Sequence, residues 1–141
     1  MRVEVDWLDG MAFEASGDSG HKVLIDASPD VGGKNRGSRP MEILLMGLGG
    51  CSSIDVMLML KKSRQDVTNC KAVIEAKRAD TVPAVFTHIH VHFIVTGRGL
   101  SAKHIERAVK LSAEKYCSAS IMLSQAAEMT HDFEVKEAGE R

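Results

Sequence analysis

The sequence predicts an α+β fold of antiparallel strands and segregated helices. Three observations predict it. The first third alternates in polarity with the two-residue period of half-buried strands. Residues 41–60 are apolar on nearly every face, as expected of a long helix enclosed by other elements at the centre of a domain or an interface. Two further alternating runs then precede two helical patterns and a short closing strand, so strands and helices come in blocks. The 141 residues suffice for a single domain, predicted over residues 1–141, and no repeat or linker divides them.

Taken in order, Met1 to Leu8 sets Val3, Val5 and Trp7 against Arg2, Glu4 and Asp6, which reads as a strand. Asp9-Gly10 is a turn dipeptide, and Met11 to Ala15 is the return strand of a hairpin. A turn at Gly17-Asp18-Ser19-Gly20 leads into a third strand, His21 to Ala27. Residues 28–38 hold Pro, Gly, Asn and Ser with almost no apolar content, the composition of a mobile loop. Ser38 is the expected N-cap of the long helix, with Pro40 in its first turn and Glu42 at the positive end of its dipole. Gly47, Gly49 and Gly50 inside it each cost ~1 kcal/mol relative to Ala, which predicts a notch for another backbone. Strands follow at Cys70 to Arg78 and Phe86 to Thr96. Ser101 caps a helix to about Lys115, Tyr116-Cys117-Ser118 breaks it, and Ser118 caps a second helix through Glu128. Phe133 to Val135 closes the chain as a strand.

Composition narrows the function classes. Eighteen Lys and Arg against 19 Asp and Glu leave a formal charge of −1, which provides no electrostatic footprint for nucleic acid or an anionic membrane. Gly, Ser and charged residues interrupt every apolar run before the ~18 residues of a membrane span. Glu4 and Asp6 in the first apolar stretch argue against a secretory signal, and a cytoplasmic location is expected. Cys51, Cys70 and Cys117 make an odd count with no CxxC pair, so neither a disulfide framework nor a thiolate zinc site is predicted.

In a reducing compartment such cysteines are buried fillers or reactive groups. Cys51 lies among glycines in the long helix, where a filler role is the simpler reading of that residue alone. Cys117 precedes a helix N-terminus, where N–H groups and the dipole favour a thiolate, with Lys115 near enough in sequence to add to the effect. Cys70 opens a strand with nothing to activate it and reads as structural. His88, His90 and His92 form an HxHxH run whose side chains share one strand face, a pattern suited to Zn, Cu or Ni. The alternation of Ile89, Val91, Phe93 and Val95 explains the same pattern without a metal, and no carboxylate or Cys lies at ligand spacing; no metal or cofactor is expected. His104 and His131 read as surface residues, and His21 as a weak pocket candidate. The eight methionines read mostly as core fillers that also suit an adaptable apolar pocket.

The segments Ser38-Arg39-Pro40-Met41-Glu42, Gly49-Gly50-Cys51-Ser52-Ser53-Ile54-Asp55-Val56 and Ala113-Glu114-Lys115-Tyr116-Cys117-Ser118 resemble the osmotically inducible protein C and organic hydroperoxide resistance (OsmC/Ohr) family. Ser63 to Val67 and Phe86 to Ile89 are most similar to its YhfA-like branch. The resemblance covers nearly the whole chain. It implies an OsmC-like fold made as an intertwined homodimer, with antiparallel sheets around a long buried central helix and active sites at the interface. It further implies a thiol-dependent peroxidase that reduces a small apolar hydroperoxide and is recycled by a dithiol reductant. Cys51 would be the peroxidatic thiol and Cys117 the resolving one. Peroxidase members carry an activating Glu directly after the helix-opening Pro and an Arg from the N-terminal sheet region. Here Met41 follows Pro40, the Glu stands one place later at Glu42, and Arg36 or Arg39 from the loop would substitute for the Arg. A regular helix, at ~100° per residue, turns Glu42 to the face opposite Cys51. The alternative reading is a non-enzymatic binder of a small apolar ligand.

Overall fold

The computed structural model describes residues 1–139. Two compact units divide within the long helix, Met1–Met46 and Gly47–Arg141.

In the first unit, β1 (Val3–Asp9), β2 (Ala12–Gly17) and β3 (Lys22–Ile25) form an antiparallel sheet in chain order. The hairpin turns at Asp9-Gly10 as expected. Gly10 adopts φ +54, a conformation that favours glycine, and the Trp7 indole N–H donates to its carbonyl at 2.9 Å. The segment expected to be a mobile loop is instead tied down. The Asp26 carboxylate, 1% exposed, accepts backbone N–H bonds from Ala27, Lys34 and Arg36 at 2.8, 3.0 and 3.1 Å. Those bonds, led by the ones from Arg36 and Lys34, hold its pKa below the ordinary aspartate value. One short polar side chain thus organises residues whose composition suggested none.

The long helix, α1 (Pro40–Lys62), starts differently from the expectation. Ser38 is bridged to β3, donating its N–H to Leu24 O at 3.1 Å, and does not cap. Arg39 takes the capping position: its carbonyl accepts from the Ile43 N–H at 3.1 Å, and Glu42 Oε1 accepts the Arg39 N–H at 2.8 Å. Glu42 therefore reaches back over the first turn as the glutamate of a capping box does.

Within this chain α1 is not enclosed on all sides. Leu48, Gly49, Ser52, Val56 and Leu60 form one buried stripe, whereas Ile54 and Leu58 are 63% and 55% exposed. The helix is also long and apolar enough, by length and composition alone, to cross a membrane, contrary to the reading that every run is interrupted. Gly and Ser break an apolar run without making it polar. The buried stripe nevertheless packs as that of a core helix. The glycine notch exists only at Gly49, and it takes a side chain rather than a backbone: a Cβ there would stand 2.6 Å from Ile74 Cδ1, while at Gly47 and Gly50 it would meet nothing within 4 Å.

In the second unit, β4 (Asp66–Arg78) and β5 (Phe86–Arg98) pair antiparallel. The chain then crosses through α2 (Ala102–Leu111), a π-helical turn (Ser112–Tyr116) and α3 (Ser118–Ser124) to β6 (Glu128–Glu137). β6 lies parallel to β5, so the expectation of purely antiparallel sheets fails here. The reason is the crossover: two helices between neighbouring strands bring the chain back to the end where it started. Ile89, Val91, Phe93 and Val95 of β5 and Ile105, Ala108 and Val109 of α2 are all buried. Their registered partners Met129, His131, Phe133 and Val135 put the inner face of β6 on the same side, under α2 and α3.

Candidate functional site

Two segments of the second unit meet at the cysteines. Cys51 comes from the middle of α1 and Cys117 from the N-cap of α3. The sequence placed that cap one residue later, at Ser118. The π-helical turn adds a residue to the last turn of the α2 segment, and the Cys117 N–H then bonds Ser112 O at 2.8 Å. Cys117 leaves the helix in an extended conformation, φ −76 and ψ 107, and its sulfur accepts the Ser120 N–H at 3.3 Å.

The two sulfurs and a carboxylate oxygen of Asp55 all lie within 4.8 Å of one another. Cys117 is fully buried and Cys51 is half-buried. Buried hydroxyls surround the deeper thiol. Ser52 Oγ is 3.2 Å from Cys117 Sγ and 3.3 Å from Ser120 Oγ, and Ser112 Oγ donates to the Ser52 carbonyl at 3.3 Å. Asp55 Oδ2 is buried without a hydrogen-bond partner among the described residues. Its residue also lines a cleft of about 560 Å³ with Leu58, Met59, Arg107, Leu111 and Tyr116.

The electrostatics separate the two thiols. Burial opposes ionisation of Cys117, but hydrogen bonds from the Ser120 and Ser52 hydroxyls, the Ser120 N–H and Cys51 outweigh it and lower its pKa. At Cys51 the Ala119 N–H favours the thiolate, yet burial, the adjoining Cys117 and the Asp55 charge prevail and raise its pKa. Of the two thiols, the deeper one is therefore the more readily ionised. Two thiols and a carboxylate so arranged can pass a proton between the sulfurs and join them covalently after modest rotation.

The remaining sequence candidates make other contacts. Cys70 lies on the inner face of β4, opposite Val95, and burial raises its pKa, as suits a structural residue. Glu42 serves the α1 cap, and the Arg39 guanidinium bonds Asn35 Oδ1 and the Gly37 carbonyl, both at 3.0 Å. Lys115 sets its ammonium 5.3 Å from the Tyr116 ring centroid. His21 is exposed beside Ser19, and His104 is exposed as expected. His131 is half-buried rather than exposed: it sits on the inner face of β6, its Nε2 buried without a partner among the described residues, and burial lowers its pKa. The sequence reading gave Asp55 and Ser52 no role. The spacing of Asp55, four residues after Cys51 on a helix, is a signal that places the two on one face.

Comparison with known proteins agrees with this architecture. Protein YhfA of Escherichia coli (strain K12) is 45% identical over 135 residues, covering 96% of this chain and 98% of YhfA. The crystal structure of a hypothetical protein from Aquifex aeolicus is 30% identical, with a TM-score of 0.87 over 98% of this chain and 97% of that one. An organic hydroperoxide resistance protein OsmC from Legionella pneumophila shares the fold at 15% identity, with a TM-score of 0.69 over 95% of this chain and 96% of that one. The family model described as OsmC-like protein matches residues 33–132. By the family model and the relative of 45% identity, the chain belongs to the OsmC-like protein family.

Proposed function

We propose that the protein is a thiol-dependent peroxidase that reduces small apolar hydroperoxides through Cys51 and Cys117. The observation that carries the reading is the convergence of the two sulfurs and Asp55 within 4.8 Å, with the deeper sulfur the more readily ionised of the two. The fold is shared with a Legionella protein named for organic hydroperoxide resistance, which makes that substrate class the first to test. Cys51, the more accessible thiol, is the attacking group. It passes its proton to the Cys117 thiolate and attacks the distal peroxide oxygen. The O–O bond breaks, the alkoxide takes the proton from Cys117, and Cys51 is left as a sulfenic acid. The regenerated Cys117 thiolate attacks that sulfur, forming a disulfide and expelling hydroxide, which is protonated by solvent. A dithiol reductant returns both thiols. Glu42 and Arg39 have positioning roles at the start of α1.

The active form in this proposal is a homodimer in the cytoplasm, with a second copy covering the exposed apolar side of α1. The cycle uses the two thiols and the dithiol. A second reading, a binder of a small apolar ligand without turnover, is favoured by the Leu58, Met59, Leu111 and Tyr116 side of the cleft beside Asp55, whose other walls carry Lys62, His104 and Arg107.

Intact-mass analysis of the reduced protein after one equivalent of cumene hydroperoxide separates these readings. The peroxidase loses two hydrogens rapidly, Cys117→Ser traps an oxygen adduct, and Cys51→Ser shows neither. An unchanged parent mass, with a melting temperature raised by aromatic or fatty ligands, establishes the binder instead.

A further inference from the structure

The outer face of the second sheet carries a cluster that the thiol chemistry does not use. His90 and His92 project from alternate positions of β5, and β6, running parallel, sets Asp132 in register with His92. The sequence reading found no carboxylate at ligand spacing because this one arrives from 40 residues away, across the crossover. His90 Nε2 and His92 Nδ1 converge on the same atom, Asp132 Oδ1, at 2.9 and 2.6 Å. The outward nitrogens are also engaged: Thr130 Oγ1 lies 2.6 Å from His90 Nδ1, and Glu134 Oε1 lies 3.7 Å from His92 Nε2. Metal-ligating histidines are oriented in this way, one nitrogen presented inward and the other held by an oxygen.

We propose that His90, His92 and Asp132 form a binding site for one divalent transition-metal ion of the Zn²⁺ class, with Thr130 and Glu134 orienting the imidazoles. Two imidazoles and one carboxylate are three ligands of the borderline set that Zn²⁺ accepts, and the solvent side leaves a fourth position for water. Bonds of ~2.0–2.1 Å in tetrahedral geometry place ligand atoms about 3.3 Å apart. The present nitrogen-to-oxygen separations of 2.6 and 2.9 Å need to open by about 0.7 and 0.4 Å around an inserted ion. Half-exposed side chains on a rigid sheet can make that adjustment. Binding displaces the protons now shared with Asp132, so it is coupled to proton release. Glu75, opposite His90 on β4, adds a negative charge from the other neighbouring strand.

The test uses untagged full-length protein and ZnCl₂ as the probe. Cys51→Ser/Cys70→Ser/Cys117→Ser excludes thiolate binding, and equilibrium dialysis then counts the ions held per chain. The expected result is one ion, with affinity reduced at least tenfold by His92→Gln or Asp132→Asn and about tenfold by Thr130→Val. X-ray absorption of the parent protein with one equivalent of Zn²⁺ provides a measurement that needs no cysteine variant. A first shell of nitrogen and oxygen at ~2.0 Å supports the site, and a sulfur shell at ~2.3 Å overturns it. No retained ion in a folded thiol-free variant, or equal affinity in His92→Gln, also overturns it.

Discussion

Ser52→Ala tests whether the buried hydroxyls set the charge of the deeper thiol. The substitution removes one oxygen, 3.2 Å from Cys117 Sγ and 3.3 Å from Ser120 Oγ, and leaves the helix backbone intact. A hydrogen bond to a charged group contributes ~1.5–3 kcal/mol and one to a neutral group ~0.5–1.5 kcal/mol. The difference, about 1–1.5 kcal/mol, is the preference that Ser52 gives the thiolate over the thiol. At 1.36 kcal/mol per unit, this raises the Cys117 pKa by about one unit. The measurement is ultraviolet thiolate absorbance titrated against pH in a Cys51→Ser/Cys70→Ser background, where Cys117 is the one remaining sulfhydryl. A midpoint that stays in place or falls, in a variant that still unfolds cooperatively, would refute the reasoning and remove Ser52 from the site.

Three further outcomes are expected. Leu48→Ala empties a fully buried position on α1 and should cost about 3 kcal/mol in chemical denaturation; a loss below about 1 kcal/mol would mean the stripe is not core. The Asp132 carboxylate raises the His92 pKa by hydrogen bonding and is itself lowered by His92, so their mutual stabilisation is present between about pH 4 and 6.5. It fades as pH rises through the raised His92 pKa and as pH falls through the lowered Asp132 pKa. Glu75, His88, His90, Thr130 and Glu134 face the same pair. The melting-temperature gap between parent and Asp132→Asn should therefore be widest near pH 5 and narrow as pH rises through the raised His92 pKa; a gap constant with pH contradicts the assignment. Finally, Ile54→Arg places a charge on the exposed apolar side of α1. In sedimentation, a dimeric parent should become monomeric in this variant, and a parent that is already monomeric overturns the proposed assembly.

The strands were legible in the sequence because alternation is local. β5, with its inner Ile89, Val91, Phe93 and Val95, was identified to within two residues. β6 was recognised only at Phe133 to Val135, although it starts at Glu128, because Met129 and His131 carry its inner face in a segment that also reads as helix. Its parallel direction depends on what the preceding crossover packs against, which no local pattern contains. The all-round apolar character of α1 was legible, whereas the single chain covers only one stripe of it. Both cysteines were visible as candidates. Their convergence, and the contributions of Ser52, Ser120 and Asp55, depend on a π-helical turn whose extra residue redirects Cys117 toward α1.

The distance along the chain between the two facing thiols has a thermodynamic consequence for any redox cycle. A bond between them would close a loop of roughly 65 residues and remove about 4 kcal/mol of conformational freedom from the unfolded chain. By the same cycle, the folded chain would favour its own oxidation by that amount, lowering the reduction potential of the pair by about 90 mV relative to the same thiols in a random coil. The oxidised protein would then be the more heat-resistant form. A partner that regenerates it must supply the electrons from a comparably low potential, which favours dithiols over monothiols.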